Sequence, residues 1–263
     1  MCNLEVYLRD KKEDIYPKTP LDMIMVYYRD SNIFDLEKKQ YNEIVYKKLG
    51  WSEENYFDVI SSFWIIFQHI VFTKNDGFKV TKKTYPSMYF SEKYGKGIQR
   101  NINQLCKMFE GIVQLSKLCH SIANFMPCPS NGFNHAKGCL EDVNDFFPLM
   151  IDKIQECIDT EEQMKYSIEN RTYEVDLDTI KKWHKFFIDN YSNYCLDMYY
   201  SIKECNNQQK IVGINFFKGQ SLKYPLPKGD DEIKECLDKM ISCIKIRAKK
   251  LCDLRLAESA LVV

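Results

Sequence analysis

Apolar residues recur at three- and four-residue steps over most of this chain, the period of a helix with one buried face. Ile98, Ile102, Leu105, Phe109, Ile112, Leu115, Leu118 and Ile122 predict a long helix from 98 to about 125. Ile180, Trp183, Phe187, Tyr191, Tyr194 and Met198 predict another from 177 to about 202. Ile233, Leu237, Met240, Ile244 and Leu251 predict a last one, capped by Asp230 or Asp231 and reaching about 256. Residues 36–49 read as a helix stopped by Gly50. Ser52-Glu53-Glu54-Asn55 then supplies an N-cap and first-turn acids for a buried helix running to about Phe72. A further helix is expected over 141–158.

Between these stretches the period fails. Asp76-Gly77, Tyr85-Pro86 and Gly95-Lys96-Gly97 mark turns around short extended pieces, and Met126-Pro127-Cys128-Pro129 opens a loop to about Cys139. Lys210–Phe217 is the best strand candidate, and Leu222–Pro227 reads as extended linker. No internal repeat is visible. The expected fold is therefore mainly α, a multi-helix globular bundle with little β beyond a short strand near 210–217. A single helical domain spans 1–263, with a loosely ordered N-terminal segment over 1–35.

Composition changes this picture little. The 263 residues lie within what one hydrophobic core can serve. The 17 Tyr and 16 Phe fall mostly at helical spacing beside Ile, Leu and Val, which favours a core role over base stacking. Thirty-seven basic and 37 acidic residues leave no net charge, against the basic surplus expected of a nucleic-acid binder. Local patches at Lys79–Lys83 and Lys245–Lys250 keep that class as the third alternative. Eleven cysteines, an odd number at irregular spacing, argue against a disulfide framework and for small apolar fillers such as Cys157, Cys195, Cys236 and Cys243. The opening residues lack a basic patch followed by an apolar stretch, and the run from Phe63 to Phe72 is too short and polar to span a bilayer. A cytoplasmic protein with no membrane partner is expected. The abundance of Lys, Ile, Asn and Tyr suggests an AT-rich bacterial or phage genome.

Candidate chemistry concentrates between 116 and 145. On the predicted helix, His120 and Asn124 share one face, with Ser116 a turn earlier. Asn134, Lys137 and Asp145 are placed to converge on that face from the loop and the following helix. Histidine shuttles protons near neutral pH and lysine holds anions. The competing reading is structural: these polar groups tie the loop to the helix end and satisfy main-chain groups freed by the prolines. Cys119, Cys128, His135 and Cys139 form a weak alternative zinc set, without the paired spacing of known zinc sites. Asp142, Asp145 and Asp152 suit either Mg²⁺ or a solvated face. Phosphate-loop, dinucleotide, nucleophile-elbow and metalloprotease motifs are absent, and no cofactor is predicted.

The run His120-Ser-Ile-Ala-Asn-Phe-Met-Pro127, then Phe133-Asn134, Lys137-Gly138 and Asp145, resembles the signature of a family of uncharacterised bacterial proteins known as a domain of unknown function. The likeness extends over roughly 90–255, through Phe186-Phe187, Ile214–Phe217, Pro225 and Pro227, and Ile246-Arg247. Ala123 stands where that pattern usually has glycine. The resemblance implies an accessory-genome role, in defence or counter-defence, and no particular reaction. Three functions follow in order: a cytosolic binding or interaction protein with a protein partner; a small enzyme or nucleotide-binding protein using the 116–145 pocket; and a nucleic-acid binder.

Overall fold

The computed structural model describes residues 46–47, 49–51, 56–61, 111, 114–115, 118, 121–140, 146–168, 171–214 and 230–255. Helix occupies 56% of these and strand 26%, so the fold is mixed α/β. This corrects the expected mainly α bundle with little β. Strand β1 (Tyr56–Val59) pairs with β2 (Phe125–Cys128), β3 (Met164–Ile168) with β4 (Arg171–Val175), and β5 (Tyr200–Cys205) with β6 (Gln208–Gly213). Each pair is an antiparallel two-stranded sheet. The helices whose full ranges fall among the described residues are α1 (Asn131–Gly138), α2 (Phe147–Thr160), α3 (Leu177–Asn190) and α4 (Asp230–Arg255).

Local physics accounts for each boundary. Residues 46–49 end in the expected stop: Gly50 takes a left-handed φ of 72°. Its N–H donates to Lys47 O while Trp51 N–H donates to Tyr46 O, closing the orphan carbonyls of the last turn. Asp176 caps α3 by accepting from Thr179 N at 2.8 Å, and Ile180, Trp183 and Phe187 are its buried face. That helix ends at Asn190, well short of the expected 202; Cys195 turns the chain with φ 52°, and Tyr200 begins a strand. Asn206 and Asn207, at φ 52° and 62°, make the two-residue turn from β5 to β6, a geometry that asparagine tolerates. Alternation in β3 buries Met164 and Tyr166 and leaves Lys165 and Ser167 exposed, whereas β4 is exposed from Arg171 to Glu174 and buries only Val175.

The helix expected from 52 to 72 is replaced, where described, by strand β1. Its outer parts, like the 1–35 lead-in and the 73–97 turns, lie outside the described residues. The expected 126–139 loop is instead β2 followed by α1. The strand expected over 210–217 is β6, ending at Gly213, with 215–217 outside the described residues.

Rings close the core edge to face. Phe133 meets Trp183 at 5.5 Å and 89°, and Phe147 meets Phe187 and Tyr200 at 5.5 and 5.9 Å. Sheet β5–β6 lies on α2 at very close range: a Cβ on Gly213 would sit 2.2 Å from Pro148 O. The two-residue turn makes Cys205 and Gln208 a hydrogen-bonded pair, so by alternation the N–H groups of Ile211 and Gly213 face away from β5. Side chains of α2 receive them: Gln155 Oε1 at 2.9 Å and Asp152 Oδ1 at 2.7 Å. A helix thus closes the outer edge of a strand that, among the described residues, no third strand covers. Among the described residues no helix is long and apolar enough to cross a membrane.

Candidate functional site

The segment 121–140 is built by successive changes of backbone state. Ser121 is extended (φ −78°, ψ 154°), and its hydroxyl donates to Leu118 O at 2.7 Å, ending the preceding helix. Residues 122–124 form a single 3-10 turn, which leads directly into β2. Asn124 therefore does not lie on the long helix that its spacing from His120 suggested, and the shared helix face is corrected at that position. Ser130 then caps α1, accepting from Phe133 N at 3.3 Å and from Trp183 Nε1 at 3.2 Å. The buried side of α1 carries Phe133, Ala136 and Lys137, at three- and four-residue steps.

Asn124, Asn134 and Lys137 all reach one place, the main chain of β1 and the residues just after it. Pro127, which has no N–H, stands opposite Phe57, and Ile60 N–H donates to Asn124 O. Even-numbered residues of this strand therefore carry the ladder to β2, and odd-numbered ones face the other edge. On that edge Asn134 Nδ2 donates to Phe57 O at 3.5 Å and Lys137 Nζ to Val59 O at 2.7 Å. Asn124 clasps Ser61 at both main-chain groups, donating to its O at 2.8 Å and accepting from its N at 2.9 Å. Lys137 is wholly buried and pairs with Asp58 Oδ2 at 2.8 Å, while Asp58 Oδ1 accepts Val59 N–H at 2.8 Å. Side chains of the 121–140 segment thus take the edge of β1 that faces away from β2, as α2 does at β6, and just after the strand Ser61 adds a β-bridge to Phe146.

Arg247 of α4 fastens the same segment from behind. Its Nη1 donates to Ala123 O and Phe125 O at 2.5 and 2.8 Å, and its Nε to Tyr194 O at 2.9 Å. The guanidinium is fully buried and lies 5.8 Å from the centre of the Trp51 ring. Burial lowers its pKa to about 10, so it remains charged at neutral pH. Carbonyl dipoles and an aromatic face surround the cation. Trp51 belongs to a small aromatic cluster with Tyr46 and Phe57, which stack at 4.5 Å, and it meets Tyr194 edge-on at 6.0 Å.

His120 and Asp145 lie outside the described residues, as do Cys119 and Asp142. Cys128 is buried in β2 with its thiol toward Met126 O, His135 is on the exposed side of α1, and Cys139 is half-buried. Among the described residues no three His, Cys, Asp or Glu side chains are grouped to hold a metal ion.

Other polar groups, apart from Asp152, escaped the sequence reading; Asp152 accepts from Gly213 N and is not on a solvated face. His184 contacts Gln155 Oε1 at 3.1 Å; because that oxygen also accepts from Ile211 N, the imidazole Nε2 donates. Gln155 Nε2 donates in turn to Asp159, which Lys210 meets at 2.8 Å. Burial lowers the His184 pKa, the hydrogen bond from Lys210 lowers that of Asp159, and burial raises that of Asp152. These residues join α2, α3 and β6. Asp58 and Arg247 are the important partners of the 121–140 segment that spacing did not bring to it. Comparison of the chain with models of known families, with curated proteins and with solved structures finds no match.

Proposed function

We propose that the protein is a binding or interaction module that recognises another protein. The observation that supports this reading is the direction of the polar groups in the 121–140 segment. Asn124, Asn134 and Lys137 address main-chain carbonyls of an extended segment at every second residue, Phe57, Val59 and Ser61. Strand-type peptide recognition works this way, with main-chain hydrogen bonds supplying affinity and a few side-chain contacts supplying selectivity. The resemblance to uncharacterised bacterial proteins adds the setting: a cytoplasmic product of a bacterial or phage accessory genome, acting in defence or counter-defence.

Affinity purification of the tagged protein from its native cells tests the proposal. A protein partner is expected at near-stoichiometric amount, reduced by Asn134→Ala. The 3.5 Å bond of Asn134 is long, so that variant is expected to melt within about 3 °C of wild type. The opposite result is a partner-free protein that consumes a nucleotide or metabolite, with turnover lost in a normally folded His120→Ala variant. That outcome would replace the interaction reading with the small-enzyme one.

A further inference from the structure

We infer that the buried guanidinium of Arg247 and the indole N–H of Trp51 hold a small monovalent inorganic anion of halide size behind the 121–140 segment. The site stands apart from the interaction reading above and does not depend on it.

Two cations are wholly buried among the described residues, and they are served differently. Lys137 has a carboxylate of its own, Asp58, at 2.8 Å. Arg247 meets no carboxylate among the described residues; its Nε and Nη1 donate to three main-chain carbonyls instead. Carbonyl dipoles solvate a cation but carry no net charge, so a full positive charge is left in a medium that penalises it. Tyr199 lies close enough to feel that charge, but burial raises its pKa and its phenol stays neutral at physiological pH.

Hydrogen-bonding capacity points to the same place. Among the described residues, Nη2 of Arg247 and Nε1 of Trp51 are buried donors with no acceptor. Buried donors left in that state are rare in folded proteins. The two side chains are neighbours, with the guanidinium 5.8 Å from the centre of the indole ring. Together they offer three N–H groups. A water molecule there would receive donors and leave the charge, whereas a monovalent anion answers both. The rings of Tyr46, Phe57 and Tyr194 pack around Trp51, an apolar wall that suits a weakly hydrated halide better than phosphate or sulfate. Because Nη1 of the same guanidinium holds the carbonyls of Ala123 and Phe125, a bound anion would tighten the start of β2.

Thermal melts at constant ionic strength, with sodium gluconate exchanged stepwise for sodium bromide, test the site. A saturable rise in melting temperature of about 5 °C or more is expected. General salt effects do not imitate it, since replacing a well-hydrated anion by bromide does not raise stability. Trp51→Phe keeps a ring and removes one donor, and it is expected to need about tenfold more bromide for the same rise. A flat or unsaturable response of wild type would assign the counter-charge to Cys195 or to chain outside the described residues, and would overturn the anion. A response in Trp51→Phe equal to that of wild type would overturn the shared site.

Where that variant fails to fold, anomalous scattering from bromide-soaked crystals of the wild-type protein gives a second measurement. A bromide peak within hydrogen-bond distance of both Arg247 Nη2 and Trp51 Nε1 is expected. Peaks only elsewhere overturn the site, and a peak there without the melting response marks an adventitious ion only and overturns it as well.

Discussion

Asn124→Ala probes the clasp most directly. Asn124 is fully buried, and both atoms of its amide are engaged by Ser61, at 2.8 and 2.9 Å. Truncation removes both of these bonds from Ser61 together, although Ser61 keeps its β-bridge to Phe146. At about 1–3 kcal/mol for each buried bond lost, and with some desolvation regained from the missing amide, the loss is about 3 kcal/mol. For a chain of this size that is a fall of about 9 °C in Tm. Thermal melts by circular dichroism and urea titration at pH 7 measure it. Asn124→Asp supplies the control. Its carboxylate keeps the bond from Ser61 N but faces Ser61 O, and burial together with that carbonyl raises its pKa in the folded state. The folded protein then binds a proton that the unfolded chain releases, so stability rises as pH falls from 8 to 5. The clasp would be refuted if the Asn124→Ala variant melted within about 2 °C of wild type. A pH-independent difference between Asn124→Asp and wild type would refute the assigned bond directions.

Three further outcomes are expected. Gly213→Ala drives a methyl group to 2.2 Å from Pro148 O, which lifts β6 off α2 at a cost of about 3 kcal/mol by chemical denaturation; an unchanged midpoint would deny the close approach. Arg247→Met keeps much of the volume but leaves the carbonyls of Ala123, Phe125 and Tyr194 without their donor, for a net loss of about 3 kcal/mol after the relief of a buried charge; a melt unmoved by this change counts against the fastening role. Asp152 has its pKa raised above 3.8 by burial, so its ionisation costs the folded state more than the unfolded one, and stability drains away as pH climbs from 3.8 through the folded value. Asp152→Asn keeps an acceptor for Gly213 N and is expected to flatten the stability–pH profile over that window; a profile as steep as that of wild type would contradict it.

Helices announced themselves where one face is buried throughout. The stripes of α3 and α4 are those of Ile180, Trp183 and Phe187 and of Ile233, Leu237, Met240 and Ile244. Strands were harder to read. Residues 56–61 follow a good helix start, and only distant residues (Pro127, Asn124 and Lys137) make an extended conformation the better one there. The alternation in Met164–Ile168 and Arg171–Val175, and the Asn206-Asn207 turn after Tyr200–Cys205, were legible signals that the helical reading passed over. In the candidate site, residue types pointed to Asn124, Asn134 and Lys137 as a group. Their common target was hidden by a separation in sequence of 63 residues for Asn124 and 78 for Lys137. Arg247 joins them across more than 120 residues, a distance over which periodicity carries no information.

A strand held by its carbonyls keeps the instructions for its own placement elsewhere in the chain. Saturation mutagenesis should therefore find Tyr56 and Val59 permissive toward most extended-chain residues, while Asn124 and Lys137 tolerate almost nothing. Phe57, stacked on Tyr46, and Asp58, paired with Lys137, would be the intolerant letters between them. The strand would then be free to change half of its sequence without changing its shape.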